Sequence, residues 1–138
     1  MSFLKRIPFV QSCIEYWRQR WLTPQRRRAI FDHIYTENRW RNASTRSGHG
    51  SSLGQTDTVS EVLPGLIETF SIRSIVDVPC GDLFWMKLVD LKGADYLGID
   101  IVEDLIAENT SLYGHEGRKS RHLDGVEKDL TNADPGLF

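Results

Sequence analysis

A β-branched run from Ser74 to Val78 is cut by Pro79 and passes at once into a Cys80-Gly81-Asp82 turn. Such a run, four to eight residues long and closed by Pro and Gly, predicts a short buried strand. Leu83, Met86, Lys87-Leu88 and Asp90-Leu91 then repeat at helical spacing, so a helix is expected to open behind the turn. Asp95-Tyr96-Leu97-Gly98-Ile99-Asp100 reads as a second strand that ends on a carboxylate, twenty-three positions after Asp77. A strand entering a helix through a glycine-containing turn brings backbone amides close to a nucleotide-like ligand. An acid about 20 residues further on reaches ribose hydroxyls. This stretch predicts an α/β fold with parallel strands joined by crossovers.

The flanking chain supplies the other layers. Thr23-Pro24 is a helix start, with Thr as N-cap and Pro in the first turn. That helix is expected to turn Ala29, Ile30, Ile34 and Phe31 inward. Val59, Val62, Leu63, Leu66, Ile67 and Phe70 form one apolar stripe after Thr58, which with Glu61 fits a capping box. The stripe predicts a core helix, kinked or restarted at Pro64. Ile101, Leu105, Ile106 and Asn109 predict another helix, closing at Tyr113-Gly114. A third strand is expected between Lys119 and Asp129, where the sequence is polar. Arg46 to Thr56 is loop-like; its glycines admit a ligand to the backbone, and its hydroxyls and the Gln55 amide can bind a carboxylate. His49 reads as a solvated loop residue.

The net charge of −2 conceals an asymmetry. Through Arg46 there are ten Lys and Arg residues against Glu15, Asp32 and Glu37, a surplus of seven, which leaves the remainder nine charges acidic. Residues 1–46 therefore read as a basic helical appendage, with Ser12 to Trp21 as an amphipathic helix, and residues 47–138 as the ligand-binding domain. A basic arm suits nucleic acid or an anionic surface. The acidic domain of its own chain is the favoured partner. No apolar run approaches the ~18–20 residues of a membrane span, and the N-terminus lacks the apolar core of a secretory signal. Cys13 and Cys80 are far apart and in no metal-ligand spacing, so both are expected as reduced thiols of a cytoplasmic protein, with Cys80 a packing residue and no metal bound.

The Asp77-x-Pro79-Cys80-Gly81-Asp82 loop and Gly98-Ile99-Asp100-Ile101-Val102 resemble the corresponding motifs of class I S-adenosylmethionine (SAM)-dependent methyltransferases. The resemblance extends to the lead-in of a bacterial subgroup: Ile34, Tyr35, Asn38, Trp40, then Ser47, Gly48, Gly50, Ser51, Ser52, Leu53, Gln55, Thr56, then Leu63 and Pro64. It spans about Phe31 to Tyr113 and departs at Arg41, where members often carry glycine. It implies a Rossmann-like parallel sheet with flanking helices and SAM as cofactor. By the same likeness Asp77, Pro79, Cys80, Gly81 and Asp82 would hold the methionine end, with Gln55, Thr56 and the Ser-Gly loop around Ser47 to Ser52 closing over it. Asp100 and Ile101 would meet the ribose and adenine, and Asp129 and Leu130, similar to the family's Asp-Leu-Thr, the adenine.

The sequence stops at Phe138, before the strands that face the methyl acceptor in that family. The chain is thus expected to be an incomplete, N-terminal part of the fold, with the acceptor unspecified and an exposed sheet edge open to homo-oligomerisation. Two other functions remain as alternatives. One is an NAD-dependent dehydrogenase, which the single Gly81 and the in-strand Asp77 disfavour. The other is a non-catalytic interaction module on the same scaffold.

Overall fold

The computed structural model describes residues 23–41 and 43–126. Their elements follow in the order α1 (Pro24–Thr36), α2 (Leu53–Thr69), β1 (Ser74–Asp77), β2 (Asp95–Asp100), α3 (Glu103–Tyr113) and β3 (Arg118–His122), with short 3-10 turns at His49–Ser51 and Met86–Leu88. The strands form one parallel sheet in the order β1-β2-β3. Ser74 lies opposite Asp95, Asp77 opposite Gly98, and Asp100 opposite His122. The described chain is an α/β structure, a three-stranded parallel sheet with flanking helices. The amphipathic helix expected at Ser12 to Trp21 and Cys13 lie outside the described residues.

The core explains the strands. Tyr96, Leu97 and Ile99 on the central strand β2 are almost wholly buried, as expected for a parallel strand covered on both faces. β3 is polar because its inward positions are occupied by groups with partners. Arg118 stacks over the Tyr96 ring at 5.3 Å, and the His122 ring is 2.9 Å from the Ile101 carbonyl.

Several expectations are corrected. No α-helix follows the glycine turn. Leu83 has φ +52°, Leu83, Met86 and Val89 are buried at every third position, and only the 3-10 turn at Met86–Leu88 forms. A period of three suits a 3-10 turn, not an α-helix. Helix α2 starts at Leu53, with Ser52 at its N-cap, so Thr58 and Glu61 lie inside it, and it continues through Pro64. Its apolar stripe is core only in part: Ile67 is 2% exposed and Leu63 partly buried, but Val59, Val62, Leu66 and Phe70 lie in solvent. Likewise α1 buries Tyr35, while Ala29, Ile30 and Phe31 are exposed. The N-cap of α1 is as expected, Thr23 accepting the Arg26 amide at 3.4 Å.

Helix α2 closes without glycine. The Ser71 amide donates to the Glu68 carbonyl and the Ile72 amide to that of Ile67 at 2.9 Å, with Ser71 at φ +51°. This is the Schellman arrangement, which delivers the chain into β1. No helix among the described residues is long and apolar enough to cross a membrane.

Candidate functional site

Parallel strands end on the same side of a sheet, and here β1 and β2 both end on aspartates, Asp77 and Asp100. A cavity of about 550 Å³ opens at that end. Its floor is the Asp77–Gly81 segment and Ile99–Val102. Leu123–Val126 and Trp85 wall it, and Arg27, Phe31 and Tyr35 of α1 face it, with Trp40, Arg46, Ser47 and Ser51 completing the rim.

The glycine turn is held from three directions. The Cys80 amide donates to the Ile99 carbonyl at 2.9 Å, continuing the ladder beyond β1. The Gly81 amide donates to Asp100 Oδ2 at 3.1 Å, and Asn109 Nδ2 of α3 donates to the Gly81 carbonyl at 2.8 Å. Asp100 Oδ1 also accepts the Val102 amide at 3.1 Å, so this carboxylate fixes both the turn and the start of α3. Gly81 has φ +57°, and a Cβ there would lie 2.8 Å from Ser47 Cβ and closer still to its Oγ. Conformation and space both exclude a side chain. Below the turn, a Cβ on Gly98 would come within 3.0 Å of Cys80 Cβ and Sγ, which accounts for a small residue opposite the thiol.

Asp82 is a knot between the turn and the loop before α2. Its carboxylate accepts Thr45 Oγ1 at 2.8 Å, the Arg46 amide at 2.9 Å, Ser47 Oγ at 2.9 Å and the Phe84 amide at 3.3 Å. The Asp82 amide donates back to Ser47 Oγ at 2.8 Å. These are charge-assisted bonds, the stronger class.

Asp77 accepts a hydrogen bond from Tyr96 Oη at 2.6 Å. Burial pushes its carboxyl above the usual range; the Tyr96 hydroxyl acts against that shift and the Asp100 charge adds to it. Burial, with Asp100 and Asp77 nearby, also pushes the Cys80 thiol up, so it stays a thiol and does not act as a nucleophile near neutral pH. On the rim, Tyr35 donates to Glu108 Oε2 at 2.7 Å, and burial with that bond raises its hydroxyl to about 12. The Arg46 guanidinium stacks over the Tyr35 ring at 5.1 Å. Arg27 grips Asp124 Oδ2 through Nε at 2.9 Å and Nη2 at 2.7 Å, joining α1 to the segment after β3.

The structure thus gathers Asp77, Pro79, Cys80, Gly81, Asp100 and Ile101 around one cavity. Asp82 braces the turn from outside the lining. Gln55 is exposed on the first turn of α2, and Thr56 is buried with its hydroxyl on the Ser52 carbonyl at 3.1 Å; neither lines the cavity. Asp129 and Leu130 lie outside the described residues. The sequence does not place Arg27, Phe31, Arg46, Trp85 and Asp124 at the ligand site, although the Arg26-Arg27-Arg28 run in the first turn of α1 suggests a partner for its cations and Phe31 is expected to face inward. Tyr35 and Trp40 stood in the family-like lead-in without a role, and the basic surplus of residues 1–46 was the available signal for the two arginines. Among the described residues no three His, Cys, Asp or Glu side chains are grouped to hold a metal ion. No family model, curated protein or solved structure matches the chain.

Proposed function

We propose that the cavity binds SAM and that the protein is a class I SAM-dependent methyltransferase or the cofactor-binding part of one. One observation carries the proposal: two strand-end carboxylates, Asp77 and Asp100, flank a turn whose Gly81 must lack a side chain, on the floor of one cavity. Ligands of open parallel sheets bind outside the carboxyl ends of the strands. The volume suits a nucleoside-sized ligand. The motif resemblance in the same residues supports the choice of SAM.

The donor set fits that cofactor. Each Asp100 oxygen accepts one backbone amide and keeps acceptor capacity for ribose hydroxyls. Ile101, Val102 and Leu105 offer an apolar wall for adenine, and Asp77 a carboxylate for the cationic methionine end. When bound, SAM supplies an electrophilic methyl group on a sulfonium. The contribution of this chain is to orient the cofactor and exclude water around it, since methyl transfer depends chiefly on alignment.

Replacing Asp100 with Ala tests the assignment. It removes the ribose acceptor and frees the Gly81 and Val102 amides. SAM affinity is expected to fall by more than about tenfold, the scale of one charge-assisted hydrogen bond. Unchanged affinity would sink the assignment.

A further inference from the structure

The turn after α1 holds a residue that its backbone does not favour. The Arg39 amide donates to the Ile34 carbonyl at 3.0 Å and the Arg41 amide to the Asn38 carbonyl at 2.8 Å, folding the chain back on the helix. Asn38 and Arg41 sit at φ +45° and +50°. Asparagine visits this left-handed region readily and glycine adopts it freely, but arginine carries the steric penalty of its Cβ there. Arg41 is also where the chain departs from the glycine common in the lead-in it resembles. Strain of this kind is kept where the residue has a use, and what Arg41 adds is an exposed cation.

An aromatic platform stands next to it. A Cβ on Gly48 would lie 3.4 Å from Cδ2 of Trp40 and 3.6 Å from its Cγ and Cε3, so the ring lies face-on to the Gly48 backbone. Trp40 is 42% exposed and Phe31 39%, and both line the cavity rim. Arg28, one turn before Phe31, and Arg39 are exposed as well. Neither they nor Arg41 make an ion pair with another described residue. Arg28 acts on the Asp32 carboxylate, and Arg39 Nη1 is 3.1 Å from His33 Nε2. Asp32 and Glu37 are the acids of residues 23–46, against six arginines. Arg27 is paired with Asp124. Arg46 lies over the Tyr35 ring, in contact with its hydroxyl, in the same lining as Asp77 and Asp100. Those two arginines belong to the cavity.

We propose that Arg28, Phe31, Arg39, Trp40 and Arg41 form a binding face for single-stranded nucleic acid, on which the arginines take phosphates and a base stacks on Trp40. Rings set among cations suit a single strand, whose unstacked bases offer a π-face and whose backbone is anionic. A ring laid flat on Gly48 presents a face for stacking, whereas anchoring in a lipid interface takes an apolar face that projects from the surface. The face adjoins the cavity through Phe31 and Trp40, so a bound strand lies beside its mouth. The inference goes beyond the SAM assignment and does not depend on it.

The test is fluorescence anisotropy of labelled single-stranded RNA and DNA of about 12 nucleotides, without SAM, across roughly 50 to 200 mM salt. Wild type, Trp40→Ala, Trp40→Leu and Arg41→Gly are compared, with thermal melting to verify that each is folded. Wild type is expected to bind at least one of the two strands, more weakly as salt rises. Trp40→Ala is expected to lose roughly 5- to 150-fold, the scale of one base–aromatic stack. Trp40→Leu keeps the apolar bulk without the π-face and is read in its place should Trp40→Ala not fold. Arg41→Gly is expected to melt no lower than wild type, because glycine suits the backbone, yet to bind more weakly. Its salt slope should fall by about 0.7, one phosphate contact. A merely structural Arg41 would give the first result without the second. Wild type that binds neither strand, or binds phosphatidylserine vesicles in their place, overturns the proposal. Binding that the Trp40 variant or Arg41→Gly leaves unchanged overturns it too, since the strand would then lie elsewhere on the chain.

Discussion

Tyr96 Oη donates to Asp77 Oδ2 at 2.6 Å, joining a residue opposite Ile75 on β2 to the last residue of β1. The two side chains share one face of the sheet, two steps apart in register. The bond satisfies a carboxylate that burial pushes above its ordinary pKa. An acid whose folded pKa is raised favours folding when protonated. Stability should therefore fall as pH rises from the unfolded value, about 3.9, through the raised folded value, and level off above it. Asp77→Asn keeps an acceptor for Tyr96 and removes the buried charge. It is expected to be more stable than wild type at pH 7, with a flatter pH dependence in urea titrations, and to bind SAM more weakly. A variant less stable at pH 7 would contradict this picture of Asp77.

Gly81→Ala meets two obstacles at once, φ +57° and the Ser47 side chain. The left-handed conformation alone costs an alanine about 1–2 kcal/mol. Displacing Ser47 also disturbs the Asp82 knot, so a total loss of more than ~2 kcal/mol in denaturant titrations is expected. Adding Ser47→Gly should fall short of wild-type stability, because it relieves the contact but removes the Ser47 hydroxyl from the Asp82 knot. Full recovery would show that conformation is unimportant there.

Arg27→Ala would leave Asp124 buried without its guanidinium, and breaking a buried pair in this way costs roughly 3–5 kcal/mol. Removing Asp124 as well should cost less than the sum of the single changes, which a double-mutant cycle measures. Strict additivity would mean that the pair is not coupled.

Two neighbours on the α2 stripe separate core from surface. Ile67, 2% exposed, is expected to lose ~2–5 kcal/mol on replacement by Ala. Phe70, 69% exposed, should change stability by no more than ~0.5 kcal/mol when replaced by Ser. Equal losses would mean that the outer stripe is covered in solution.

Strand β2 is legible to the residue, because its apolar run is bounded by Asp95 and Asp100 and its burial is two-sided. β1 ends one residue early at Asp77, and β3 begins at Arg118, one residue before the expected window. The false helix after Gly81 arose because Leu83, Met86 and Val89 satisfy a period of three as easily as part of a helical one. Only the positive φ at Leu83 separates the two, and sequence does not display it. The stripe of α2 is visible as apolar, but periodicity says which residues share a face and not whether anything covers it. At the site, the acids and Gly81 stand in a local pattern and were recognisable. Arg27, Tyr35 and Arg46 reach the cavity only through tertiary contacts with Asp124, Glu108 and Asp82, which no local spacing encodes.

Calorimetric titration of the protein with SAM and S-adenosylhomocysteine, with NAD as control, tests the cofactor assignment most directly. One-to-one micromolar binding of the two SAM-type ligands, without binding of NAD, is the predicted result. A folded protein that binds neither, or binds NAD in their place, would contradict it.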